Sequence, residues 1–347
     1  MRAAFIDGKD QLEVREVATP EPGAGEVRIR VDYVGICGSD LHYYFEGANG
    51  EYAVREPLIP GHELSGIVDL DPSGTWSAGT PVTVHPARFG TSEPAIAEQP
   101  HLWPNGSYLG SAATWPHTQG AMSEYLVVRE DMLRRLPGSL PVRRAVLAEP
   151  LAVALHAVSR VADIGAEIAG ARVLVSGAGP IGLLTVIAAK ARGAAHVTLS
   201  DVLAEPLARG TELGGELSAD ATLQVGVDDV PVAAFDVVFE CSGASPAITT
   251  AGVAVRRRGT VVQVGMVPND PRPVGLAPII SKEAQLLGTF RFRDEIDDAV
   301  ALLDAQPEIE RVVTHERSLD EAVAAFDLAK DSRESSKVVV ALPGAQA

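Results

Sequence analysis

Cys37 is one of only two cysteines in 347 residues, and it stands in "VGICGSDLHYYFEG" just ahead of Ser39, Asp40 and His42. Downstream, "IPGHELSG" supplies His62 and Glu63, and "LAEPLAVALHA" supplies Glu149. Thiolate sulfur, imidazole nitrogen and carboxylate oxygen are the ligand types of a catalytic zinc that keeps one position for water or substrate. No CxxC pair accompanies them, so spacing alone leaves plainer readings open. Cys37 would also serve as a small buried hydrophobe, His62 as a hydrogen-bonded core histidine, and Glu63 and Glu149 as solvated surface groups.

A second chemistry is written in "SGAGPIG", where Gly177, Gly179 and Gly182 fall in GxGxxG register directly after the strand-like "RVLVS". The first glycine allows a tight turn, the second lets a pyrophosphate approach the backbone, and the third lets helix and strand pack closely. Pro180 opens the following helix, a position that tolerates proline, and the helix N-terminus offers N–H groups to phosphates. The next strand-like run ends in "TLSD", placing Asp201 where a carboxylate binds ribose hydroxyls and repels a 2′-phosphate. The pattern predicts NAD in preference to NADP. An ordinary strand–helix turn with chance glycines is the plainer alternative.

Two domains must carry these residues, as the length suggests. Residues 1 to about 150 read as short alternating stretches broken by Gly and Pro, such as "EVRIRVDYVGI", which predicts a mostly β domain. Residues 85 to 120, rich in Pro, Gly, Ser and Thr, read as a long lobe. From about 151 the pattern becomes helix, strand, glycine turn, helix, strand, with the short apolar runs "FDVVFECSG" and "GTVVQVGM". That alternation predicts a doubly wound α/β domain. "SPAITTAGVAVRRRG" reads as a helix whose arginines sit at its solvated C-terminal end. The last residues, from about 290, hold two helical patterns and a strand that could extend either domain.

The net charge of −17 argues against nucleic acid or an acidic membrane face as a partner. The absence of a leader-like or membrane-spanning apolar run makes the cytoplasm the expected location. Each cysteine is read separately, since a large cytosolic chain has no need of a disulfide.

Taken together, "GICGSDLHYY", "PGHELSGIV", "EPLAVALHA", "VSGAGPIGLL", "VFECSG" and "GTFRF" resemble the zinc-dependent medium-chain dehydrogenases, in the polyol branch that holds sorbitol and idonate dehydrogenases. The resemblance runs over nearly the whole chain, from about residue 30 to 295. It implies a GroES-like β catalytic domain of residues 1–151 and 290–347, with a Rossmann NAD-binding domain of residues 152–289 inserted in it.

The resemblance also implies roles. Cys37, His62 and Glu63 match zinc ligands, and Glu149 matches a carboxylate that meets the zinc directly or through water. Ser39 matches the hydroxyl that takes the alcohol proton, with His42 passing it towards solvent. Asp40 matches a carboxylate that orients the ligand histidine. Tyr43, Glu149, Arg291 and Phe292 match substrate-pocket positions. Cofactor contacts are implied for Gly177, Gly179, Pro180, Ile181, Gly182 and Asp201, for Cys241, Ser242 and Gly243, for Val264, Gly265 and Met266, and for Thr289, Phe290 and Arg291. Cys241 itself reads as packing rather than chemistry.

Three departures qualify the match. Relatives often hold a second, structural zinc on four cysteines in the lobe, but residues 85 to 120 contain none, so one zinc per chain is expected. His85, His101 and His117 make no closed site without thiolates. Trp103, Tyr108 and Trp115, or a neighbouring subunit, are expected to hold the lobe. Pro206 stands where relatives carry an arginine near the adenosine ribose, and Phe292 stands where sorbitol dehydrogenases carry a tyrosine.

The expected activity is NAD-dependent oxidation of a secondary alcohol on a polyol or sugar acid. "WPHTQGAMSEY" points to the idonate type over the sorbitol or xylitol type, and a homo-oligomer, tetramer or dimer, is implied. A metal-free quinone or enone reductase and a silent nucleotide-binding relative are the alternatives from other classes. The intact ligand set speaks against the first, and Ser39 with His42 speaks against the second.

Overall fold

The computed structural model describes residues 1–345. The chain divides into two compact units. One holds Met1–Glu149, Ile296–Asp331 and the residues from Lys337 onward; the other holds Pro150–Glu295 with the short segment Ser332–Ser336.

The first unit is built on a seven-stranded sheet. Six strands lie in the order Leu133–Arg135, Pro81–Val84, Glu63–Leu70, Glu26–Gly35, Lys337–Ala341 and Val313–Ser318, and Tyr125–Arg129 also pairs with Glu26–Gly35. All pairs are antiparallel except the last two strands of the chain, which run parallel. A hairpin of Arg2–Gly8 and Gln11–Glu16 lies apart from this sheet. The core is aliphatic, with Ile29, Val31, Leu58, Leu64, Val68 and Val338 buried together. Fully burying one such side chain contributes about 1.5–3 kcal/mol. Phe326, from the helix Ala322–Lys330, sets its ring edge-on to Tyr44 at 5.4 Å and closes that core.

The returning strand matters most for the site. Lys337–Ala341 is bonded to Glu26–Gly35 with Val339 opposite Gly35, so residues just over 300 positions apart in the chain share one sheet. The apolar run "SKVVVAL" predicts a strand here but not its neighbour.

The second unit is a six-stranded parallel sheet. Its order is Ala221–Gln224, His196–Asp201, Arg172–Ser176, Phe235–Glu240, Val255–Gln263 and Gln285–Gly288. Numbered within the unit this is 3-2-1-4-5-6, the doubly wound order that places ligands beyond the carboxyl ends of the strands, where the order reverses. The switch lies between Arg172–Ser176 and Phe235–Glu240, whose ends are tied by a bond from Cys241 N to Ser176 O of 2.7 Å. Val173, Leu174, Val175, Val237, Val238 and Phe239 are all buried, which is why these strands read as unbroken apolar runs.

One expectation is corrected here. The helix Ser245–Ala254 stops before the arginines, and "VRRRGTVVQ" is strand Val255–Gln263. Lys282 Nζ donates to the carbonyls of Gly252, Val253 and Val255 and closes the helix end in their place. Arg256, Arg257 and Arg258 are exposed at the sheet end.

Candidate metal and dinucleotide sites

Strand Glu26–Gly35 runs into Cys37, which caps the helix Gly38–Glu46. Cys37 N donates to Asp40 Oδ2 at 3.0 Å, and Gly61 N, next to His62, donates to Asp40 Oδ1 at 3.1 Å. One fully buried carboxylate therefore joins the two segments that carry Cys37 and His62. Burial pushes the acid's pKa up, against the pull of His62 and of the two amides. This changes the role expected of Asp40. It positions ligand-bearing backbone, while His62 Nδ1 is buried with no hydrogen-bond partner.

Ligand atoms of Cys37, His62 and Glu63 lie within 4.8 Å of one another, the only such group among the described residues. His62 and Glu63 are buried and Cys37 is half-buried. Gly35 faces Glu63 in the sheet register, and a Cβ on Gly35 would stand 2.1 Å from Glu63 Oε2. Only glycine leaves room for that carboxylate.

The electrostatics fit a cation. Burial alone would lower the pKa of His62, yet Cys37 above all, with Asp40 and Glu149, holds the imidazole protonated up to about 10. Anionic groups crowd a dry site and demand positive charge. Sulfur, nitrogen and oxygen donors in reach of one point, an orphaned buried ring nitrogen and a carboxylate cradle together suit zinc.

Lys337, absent from the residues singled out by sequence, completes the surroundings. Its Nζ donates to Glu63 Oε1 at 2.6 Å and to Ile36 O at 3.0 Å. Glu63 Oε2 also lies 2.6 Å from Nζ but outside hydrogen-bonding angles. The lysine is 3% exposed, and although burial opposes its charge, Glu63 and Cys37 raise its pKa. A lysine inside the apolar run "SKVVVAL" was the available signal. Tyr108, expected only to pack the lobe, donates to Glu149 Oε1 at 2.5 Å and sets its ring edge-on to His62. Glu149, in the first turn of the helix Ala148–Ala162, has its pKa raised by burial and by Glu63. It stands outside the three-ligand group.

Ser39 is half-buried and His42 exposed, its Nδ1 3.0 Å from Glu46 Oε1. Tyr43 is buried, and its phenol oxygen accepts from Ala112 N at 3.1 Å. Phe292 is 1% exposed. Arg291 has φ +51° and lays its guanidinium over the Phe290 ring at 4.7 Å.

The lobe is held by its own short hairpin, Ala87–Arg88 with Ser107–Tyr108, and by Trp103 Nε1 donating to Ile96 O. Trp115 is 65% exposed and does not fasten it, contrary to expectation. His117 is a structural clamp: Nε2 accepts from Arg55 N at 2.9 Å, and Nδ1 lies 3.0 Å from Thr114 O. His85 accepts from Ala87 N within the lobe, and His101 is buried.

In the second unit Gly177 takes φ +99°, and a Cβ on Gly182 would stand 1.8 Å from Gly177 O. Nothing lies within 4 Å of a Cβ on Gly179, so that side of the turn is open. Pro180 and Ile181 open the helix Pro180–Ala191. Asp201 Oδ2 accepts from Ala178 N at 2.7 Å and Oδ1 from Leu203 N at 3.0 Å, so the carboxylate braces the glycine turn. Pro206 is buried in the helix that follows. Ser242 and Gly243 follow Cys241 in the turn after strand Phe235–Glu240; Val264, Gly265 and Met266 follow the next strand, and Thr289 and Phe290 the last. Met266 and Phe290 are exposed. The Cys241 thiol lies 3.7 Å from Thr185 Oγ1, and burial pushes its pKa up to about 12, which makes it inert packing.

Comparison with known proteins identifies the family. Residues 23–138 match the alcohol dehydrogenase GroES-like domain, and residues 180–305 match the zinc-binding dehydrogenase domain. L-idonate 5-dehydrogenase (NAD(P)(+)) of Escherichia coli is 34% identical over 308 residues, 87% of each chain. D-xylulose reductase of Saccharomyces cerevisiae is 34% identical over 94% of this chain and 93% of its own. Sorbitol dehydrogenase of Gallus gallus is 34% identical over the same shares. The crystal structure of the Escherichia coli L-idonate 5-dehydrogenase superposes with a TM-score of 0.90 at 30% identity, covering 98% of this chain and 97% of that one. The chain belongs to the zinc-binding dehydrogenases with a GroES-like domain and is an oxidoreductase of that family.

Proposed function

We propose that the protein oxidises a secondary alcohol of a polyol or sugar acid to the ketone with NAD as acceptor, in the manner of an L-idonate 5-dehydrogenase. The observation that carries this reading is the convergence of Cys37, His62 and Glu63 in a buried, anionic site. Relatives named for idonate, xylulose and sorbitol chemistry support the substrate class.

In this reading Cys37, His62 and Glu63 would hold one zinc, with the Glu149 carboxylate as a further oxygen donor to the ion or its water. Bound there, zinc supplies Lewis acidity to an alcohol oxygen. Asp40 fixes the spacing of the ligand segments, and Tyr108 aims the Glu149 carboxylate. Ser39 receives the alcohol proton, and His42, exposed beside Glu46, delivers it to solvent. Arg291 offers paired donors to a sugar-acid carboxylate. Tyr43 and Phe292 are buried and act as supporting walls rather than as hydrogen-bonding contacts. Gly177 to Gly182 and Asp201 receive the dinucleotide, and the Asp201 charge favours NAD.

The edge strand Gln285–Gly288, with Leu286 44% exposed, supports a homodimer formed edge to edge. Among the described residues no helix is long and apolar enough to cross a membrane; we take the cytoplasm as the site of action. For the domains, we take residues 1–151 and 290–347 as catalytic and 152–289 as nucleotide-binding, close to the seams of the two compact units.

The experiment is a polyol and sugar-acid screen with NAD and NADP side by side, on wild type and Cys37→Ala. Turnover of L-idonate with NAD, and a variant that loses zinc and activity but still binds NAD, are expected. Activity in the zinc-free variant would overturn the assignment.

A further inference from the structure

Glu240 ends its strand with a carboxylate that is completely buried. Its side-chain oxygens accept from the turn that follows its own strand and from the last residue of the neighbouring strand. Oε1 accepts from Ser242 N at 2.9 Å and from the Ser242 hydroxyl; Oε2 accepts from Gly243 N at 2.9 Å and from Gln263 Nε2 at 2.6 Å. Its main-chain oxygen accepts from Val264 N and Gly265 N, each at 2.8 Å. The Gln263 amide donates a second bond to Gly265 O at 2.8 Å. Both partners are oxygens that accept, so the amide faces them with its nitrogen. That leaves Gln263 Oε1 buried with no partner.

The two residues thus knit the turn 241–243 to the turn 264–266. Both turns lie beyond the carboxyl ends of adjacent parallel strands, where this sheet order receives a dinucleotide. Neither turn has secondary structure to hold it, and an ordering cost would otherwise be met on binding. A charged acceptor for several amides is stronger than a neutral one, and a buried carboxylate is retained only when its donors are complete.

We propose that Glu240 and Gln263 form a positioning pair that presets both turns for the dinucleotide, an inference that rests on the cofactor reading above. Neither side chain needs to touch the ligand; they act through the turns. A glutamine at 240 would point a donor at one of these amides and leave it unpaired.

The test measures NADH affinity by fluorescence, NAD kinetics and thermal stability for wild type, Glu240→Gln, Gln263→Leu and Gln263→Glu. Expected are a roughly tenfold rise in Kd and KM for the dinucleotide in the first two variants, from one polar group left unpaired, an amide in the first and an acceptor in the second, with alcohol KM and zinc content unchanged. Gln263→Glu should bind poorly at neutral pH and recover as acid protonates the new carboxyl and restores its donor. Folded variants with dinucleotide Kd within twofold of wild type, whatever their melting temperatures, would overturn the proposal. If Glu240→Gln does not fold, Gln263→Leu decides alone. Failure of the wild type to bind any dinucleotide would instead defeat the cofactor reading.

Discussion

Lys337 Nζ and the Glu63 carboxylate, 274 positions apart, form a buried ion pair at 2.6 Å beside Cys37 and His62. Removing the lysine strands a buried carboxylate, a loss of about 3–5 kcal/mol in an ordinary protein interior. Here a cation stands ready to replace the missing charge. Lys337→Met is therefore expected to melt well below wild type when metal-free and to regain more of its stability than wild type on adding zinc. Paired melting curves with and without zinc check this; an equal deficit in both conditions would show that the lysine and the ion do not share Glu63.

Asp201 braces the glycine turn through Ala178 N and Leu203 N, and in the proposed function it also offers its charge to the ribose. Asp201→Ala should weaken both dinucleotides, because two amides lose their acceptor, but NAD more than NADP. The preference for NAD should narrow about tenfold, the size of one charged hydrogen bond. Steady-state kinetics with both cofactors measure the ratio, and an unchanged ratio would remove Asp201 as the selector.

His156 and Glu295 form a second buried pair at 2.8 Å, within the nucleotide-binding unit. Burial opposes the charge on Glu295, but His156 and the backbone amides bring its pKa down to about 2 from 4.5. A depressed carboxyl adds stability that is complete above its unfolded pKa and is lost as pH falls through the folded one. The contribution, about 3 kcal/mol, should vanish between pH 4.5 and about 2. Glu295→Gln should thus be less stable than wild type at neutral pH and converge with it across that window in denaturant titrations. A difference that stays constant with pH would mean the carboxylate's charge is not what the pair contributes.

Much of this architecture was legible in the chain. Glycines 177, 179 and 182 with Asp201 announced the dinucleotide turn because local backbone rules dictate residue type there. Cys37, His62 and Glu63 were legible by chemistry but linked only through resemblance, since the pairing of two antiparallel strands, Glu26–Gly35 and Glu63–Leu70, brings them together. What stayed hidden depends on long-range pairing. Lys337 reaches Glu63 only because the last strand lies against Glu26–Gly35. Tyr108 reaches Glu149 across the lobe, and Glu240 reads as one more strand residue until its donors are seen. The arginines at 256–258 misled because a run of like charge suits a helix end, whereas here Lys282 closes the helix and the arginines line an exposed sheet end.

X-ray absorption at the zinc edge of the zinc-loaded protein tests the central claim most directly. The account predicts a single sulfur neighbour at about 2.3 Å, from Cys37, with nitrogen and oxygen neighbours at about 2.0–2.2 Å. A shell without sulfur, or with two or more, would contradict the assignment of Cys37, His62 and Glu63 as the ligands.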